Sequence, residues 1–152
     1  MMRKAQLRHT RLTEPEIRET MDAVQICATR LREGVATELQ VQVLRSTMDI
    51  ALEIEKHGPL QGMRGHFEAA IVALVSIAAR AEASGTWRPT ALHWYEMDAI
   101  TSALDLHDHQ LRQLTAAELH SATQRVIART QSQGGGHLRI VNPADLTTGS
   151  TT

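Results

Sequence analysis

The chain is poor in several things that proteins of its size commonly carry. It has one cysteine in 152 residues, Cys27, so no intramolecular disulfide can staple the fold. Together with the absence of an amino-terminal apolar stretch resembling a signal peptide, this predicts a reduced, cytoplasmic protein. The longest apolar run, AAIVALVSIAA at 69–79, is interrupted by Ser76 and bracketed by Glu68 and Arg80. It falls well short of the ~20 residues a membrane span requires. Aromatic residues number four, Phe67, Trp87, Trp94 and Tyr95. Phosphate-loop, dinucleotide-binding and Gly-x-Ser-x-Gly patterns are absent, so the sequence offers no catalytic residue and no cofactor motif. No strand-alternating segment is long enough to build a sheet.

Net charge is −1, which gives the whole molecule no field to gather nucleic acid or anionic lipid. The distribution is uneven. Residues 1–13 hold Arg3, Lys4, Arg8 and Arg11 without an acid, the stretch 14–110 is acidic, and basic residues return after 111. Opposite-sign regions with near-zero net charge favour self-association, so a homodimer is one expectation.

Helix signals dominate what remains. Thr13-Glu14-Pro15-Glu16 offers a cap, a first-turn proline and an acid for the unpaired amides of a helix start. Ile17, Met21, Val24, Ala28 and Leu31 follow at helical spacing until Gly34. A second helix from about Thr37 to His57 carries two apolar stripes and should be covered on two sides; Gly58-Pro59 ends it. The third, from about Arg64 to Ala83, holds the apolar run and is expected to be the central element, with Gly85 as its stop. Thr90 is expected to cap the fourth. Thr115-Ala116-Ala117-Glu118 forms a capping box that starts the fifth, through about Gln131. The sequence therefore predicts an all-α, single-domain antiparallel bundle of about five helices over residues 13–132. A basic flexible arm at 1–12 and a Gly/Thr-rich flexible tail at 133–152 should flank it. Within that tail HLRIV could dock as a short motif.

The stretch LHWYEMDAITSALDLHDHQLRQL at 92–114 gathers most of the chemistry-bearing residues. His93, Met97, Ile100, Leu104, His107, Leu111 and Leu114 alternate by four and three, which reads as one continuous seam. It predicts His93 and His107 as inward, neutral, hydrogen-bonded imidazoles. Asp98, Ser102, Asp105, His109 and Arg112 then face water, and Asp105 with His109, at i and i+4, form an ordinary solvated pair. The two inward histidines lie roughly 21 Å apart along the axis and cannot share an ion. A metal site would have to combine His93 and Glu96 with His66 from the start of the third helix, and the Glu-x-x-His pairs of bundle di-metal centres do not occur.

Three other features carry weaker signals. Cys27 lies on the first helix's apolar side and reads as a small core filler. The glycines of GPLQGMRGH at 58–66 match no phosphate-binding loop and read as a turn. Residues of the amino-terminal arm, Arg3, Lys4, Arg8 and Arg11, could touch phosphates, but the acidic middle of the chain, including Glu38 and Glu53 presented by the second helix, would repel a duplex.

Three of the four aromatics cluster at Trp87, Trp94 and Tyr95, with Arg88 between them. Trp and Tyr combine large apolar area with a polar handle and anchor many interfaces. The sequence thus favours a non-enzymatic interaction module, an adaptor, regulator or inhibitor, that contacts a protein partner through Trp87, Arg88, Trp94 and Tyr95. A metal-binding bundle using His66, His93 and Glu96, and an accessory nucleic-acid binder using the arm, are the alternatives. The Arg- and Ala-rich composition, without catalytic signature, has the general look of accessory proteins of bacterial genomes and mobile elements.

Overall fold

A computed structural model describes residues 10–58 and 60–133. Among the described residues five helices pack together: α1 (Glu14–Arg32), α2 (Glu38–His57), α3 (Arg64–Glu82), α4 (Trp94–Leu111) and α5 (Ala116–Ser132). No strand occurs among the described residues, apart from one isolated bridge between Arg11 and Thr115.

The helix starts follow from local chemistry. The Thr13 hydroxyl accepts from the Glu16 amide while the Glu16 carboxylate accepts from the Thr13 amide, 3.3 and 2.7 Å. The same reciprocal box is built by Thr37 with Gln40 and by Thr115 with Glu118. Each satisfies two amides that a helix end leaves unpaired. Gly34, at φ 76°, and Gly85, at φ 90°, take the left-handed conformation that lets the chain turn after α1 and α3.

Neighbouring helices run antiparallel, and specific contacts fix them. The end of α3 meets the start of α4 through Arg80 and Glu96. The end of α4 meets the start of α1 through Arg112 and Glu14, 2.6 Å. The expected seams of α1 and α2 are buried, with Ile17, Met21, Val24, Ala28 and Leu31 facing Val41, Leu44, Met48, Ala51 and Ile54 across the core.

The central position belongs to α2 rather than to α3. α2 packs against all four other helices and buries residues around most of its circumference, including Gln40, Glu53 and Glu55. α3 buries Phe67, Ala70, Leu74 and Ile77 on one side, but leaves Val72 68% and Val75 48% exposed on the other. A long apolar run reports composition; it does not report how many neighbours surround the helix.

The chain enters the bundle along the α4–α5 turn. Leu12 donates to the Leu114 carbonyl and Ala116 to the Thr10 carbonyl, 3.1 and 3.0 Å. Residues 10–12, placed by the sequence reading in a flexible arm, are therefore tied down by backbone hydrogen bonds. Arg3, Lys4 and Arg8, and the tail with HLRIV, lie outside the described residues.

Candidate functional site

The start of α4 is built by its third residue in the helix. Glu96, 2% exposed, accepts from the His93 amide at 2.9 Å, and its two oxygens take both terminal nitrogens of Arg80, at 2.7 and 2.9 Å. Arg80 also donates to the Ser76 hydroxyl and the Ala91 carbonyl. Hydrogen bonding from Arg80 holds the Glu96 carboxyl below its usual range, against burial, which raises it; the His93 amide adds to the lowering. One buried carboxylate thus caps α4, clamps it to α3 and fixes the loop that leads in.

This corrects two expectations. The cap position of α4 falls at His93, and Thr90 sits in the preceding loop. His93 is also outside the helix, with its ring exposed and stacked on Tyr95, centroids 5.3 Å apart and planes 6° apart. It is not an inward imidazole. The seam holds from Ile100 onward: Ile100, Leu104, His107, Leu111 and Leu114 are buried, and Met97 is half-buried. Asp98, Asp105, His109 and Arg112 face water as the seam requires, and Ser102 is half-buried.

His107 is the buried imidazole that the spacing predicts. Its Nδ1 lies 2.9 Å from Gln110 Oε1, and Gln110 Nε2 donates to the Ala51 carbonyl on α2, 2.9 Å. That second bond orients the amide, so the oxygen faces the ring and Nδ1 carries the hydrogen. Burial pushes the His107 pKa down and keeps the ring neutral.

The metal set does not assemble. His66 is exposed at the first turn of α3, whereas Glu96 meets α3 at Arg80, fourteen residues or about 21 Å further along the helix. Both Glu96 oxygens are engaged by Arg80. Among the described residues no group of three His, Cys, Asp or Glu side chains is placed to hold an ion. Cys27 is fully buried, and desolvation raises its thiol to about 12; a thiol so placed has no nucleophilic thiolate near neutral pH.

The aromatic cluster divides in two. Trp87 is half-buried, and its indole Nε1 donates to the Ala36 carbonyl at 3.0 Å, which pins the α3–α4 loop to the α1–α2 loop. Arg88 is exposed, and its amide closes the loop by donating to the Ala81 carbonyl. Trp94 and Tyr95 project into solvent, 80% and 56% exposed, with rings edge to face at 6.0 Å. Beside them a crevice of about 370 Å³ runs between the end of α1 and the start of α4. Leu31 and Gly34 line it on one side, Leu92, Trp94 and Met97 on the other, with Arg32 and Glu33 among its polar residues.

One cluster was missed by sequence reasoning. Glu53, assigned to an exposed face of α2, is 3% exposed. It accepts from Arg125 Nε at 2.7 Å and Arg129 Nη1 at 2.9 Å, both on α5, and lies 3.2 Å from His57 Nε2. Burial pushes this carboxyl up, but the hydrogen bonds and charges of Arg129 and Arg125 outweigh it and hold the group below its usual range. The available signal was Arg125 and Arg129 at i and i+4, two cations on one helix face awaiting a counter-charge.

A scan against protein-family models gives no match to this chain, and searches of curated proteins and of solved structures give none.

Proposed function

We propose that this protein is a non-enzymatic helical interaction module that holds a protein partner at the α4 corner. Trp94 and Tyr95 act as anchors, and the α1–α4 crevice receives an apolar side chain of the partner. The observation that carries the reading is the exposure of two large aromatic rings, packed edge to face, beside a largely apolar crevice. Solvated Trp and Tyr give up large apolar area when covered, and the Tyr95 ring, stacked on His93, has less conformational freedom to lose on binding.

The corner is rigid for reasons internal to the fold. Glu96 and Arg80 lock the first turn of α4, His93 stacks on Tyr95, and Trp87 fastens the loop behind them. Trp87 therefore supports the surface from within, while Trp94, Tyr95 and the exposed Arg88 are available to a partner. Such a module works by occupying or bridging surfaces, as an adaptor, regulator or inhibitor does.

The test is a photo-crosslinking amino acid placed at position 98, next to the anchors, in the native host. A discrete adduct that disappears in Trp94→Ala, with helicity by circular dichroism unchanged, is the expected result. An adduct formed equally by Trp94→Ala and Tyr95→Ala removes the aromatic corner from the function.

A further inference from the structure

The outer face of α3 differs from the open side of every other described helix. Residues 69–79 form about 16 Å of helix without a charged side chain. Ala69, Val72, Val75, Ser76 and Ala79 are exposed, and their three- and four-residue steps place them on one side. Ser76, the one polar residue among them, already accepts from Arg80. The open sides of α1, α2, α4 and α5 each carry charge, with Arg18, Glu38, Asp98 and Arg129 all exposed. A single exposed valine is ordinary. Two valines among three small side chains make a ridge that a second helix can approach closely, because the side chains at the contact set the distance between axes.

The charges of this face stand at its two ends. Arg64 and Glu68 lie in the first turns and Glu82 closes the last. Arg80 is turned to Glu96 and Ser76, and His66 falls about 120° round the helix from Val72. Arg64 and Glu82 are eighteen residues apart, which is five helical turns, so both sit on the same flank. Arg64 bonds Glu68 through Nε at 3.0 Å, and that bond does not consume its terminal nitrogens. Glu82 has no ion-pair partner among the described residues.

We infer that the outer face of α3 is a self-association surface, on which a second copy of this chain lays its own α3 antiparallel. With the two-fold axis midway between Val72 and Val75, each valine meets the other type across the contact, and Arg64 of each copy lies beside Glu82 of the other. A parallel pair would set Arg64 against Arg64 and Glu82 against Glu82. The face carries one positive and two negative charges per copy, so the apolar ridge supplies the attraction and the end charges fix its direction. A contact confined to one helix about 28 Å long is smaller than the roughly 800 Å² per partner of a standard interface, which makes the dimer weak and concentration-dependent. The α4 corner takes no part in this contact, and its role stands or falls separately.

The experiment is sedimentation equilibrium of the full chain from about 5 to 500 µM, where the parent should pass from monomer to dimer. Val72→Glu, at an exposed site and with helicity unchanged, should weaken the dimer about tenfold or more. Arg64→Glu should weaken it too, and adding Glu82→Arg to that chain should restore it. Cys27 is buried, so introduced thiols report the direction of packing. Val72→Cys, about 4.5 Å along the axis from its counterpart, should form a disulfide on oxidation, and Ala79→Cys, about 16 Å from its own, should not. A parent that stays monomeric throughout overturns the inference, as does a dimer indifferent to Val72→Glu. So does a double reversal no stronger than Arg64→Glu, or crosslinking at 79 as efficient as at 72.

Discussion

Arg80 and Glu96 stand sixteen residues apart in the chain and meet through two hydrogen bonds, Nη1 to Oε2 at 2.9 Å and Nη2 to Oε1 at 2.7 Å. Glu96 is almost wholly buried, whereas the Arg80 side chain retains 30% of its exposure, so the two ends of the pair respond differently to deletion.

Glu96→Ala removes a helix cap and the counter-charge of Arg80 together, and should cost about 2–3 kcal/mol in urea unfolding. Arg80→Ala leaves a buried carboxylate facing only an amide and should cost at least as much. The pair also sets an acid limit. Glu96 has a folded pKa below its ordinary 4.5, so its contribution is complete above about pH 4.5 and is lost as pH falls through the depressed folded value. In Glu96→Gln that part of the acid dependence should vanish.

His107 gives a pH signature of the same sign at a higher pH. Its pKa is lowered from 6.5 by burial. Below about pH 6.5 the unfolded chain takes up a proton that the native ring refuses, so stability falls as pH falls from there. Comparison of unfolding curves from pH 7 to 5 for the parent and His107→Gln should show a shallower slope in the variant. Imidazole nitrogen shifts should report the neutral Nδ1–H form; a ring that titrates in the folded protein near 6.5 would contradict the burial argument.

Glu53 predicts an asymmetry. The arginines that meet it keep 42% and 44% side-chain exposure and can turn to water once Glu53→Gln removes their partner, so that change should cost about 1–2 kcal/mol. The reverse deletion, Arg125→Ala with Arg129→Ala, strands a buried carboxylate and should cost about 3 kcal/mol or more. Urea midpoints of the three proteins decide the order; equal losses would mean that Glu53 is reached by solvent.

Most of the helix ends were legible because they are written in short-range chemistry. Thr13 with Glu16 and Thr115 with Glu118 are three residues apart, and nothing distant has to be known to place them. α4 misled because its cap is a histidine. His93 fits the four-three spacing of the seam, yet that spacing has meaning only inside a helix, and the helix begins one residue later. Trp94 and Tyr95 were legible as a cluster; that Trp87 faces inward to Ala36 was not, since the bond spans 51 residues. Glu53 was misplaced for the same reason. Its partners lie 72 and 76 residues away on α5, and a carboxylate looks solvated until its counter-ions are found.

The attachment of α5 has a consequence for how the molecule opens. Only Ala122, Val126 and Thr130 of this helix are buried, and it leans mainly on α2, whereas α1 to α4 hold one another from several sides. α5 is accordingly the segment that can swing away while the remaining four stay assembled. Its amide hydrogens should then trade with deuterated solvent in advance of theirs, and the cleft it leaves would briefly bare the flank of α2 that carries Glu53.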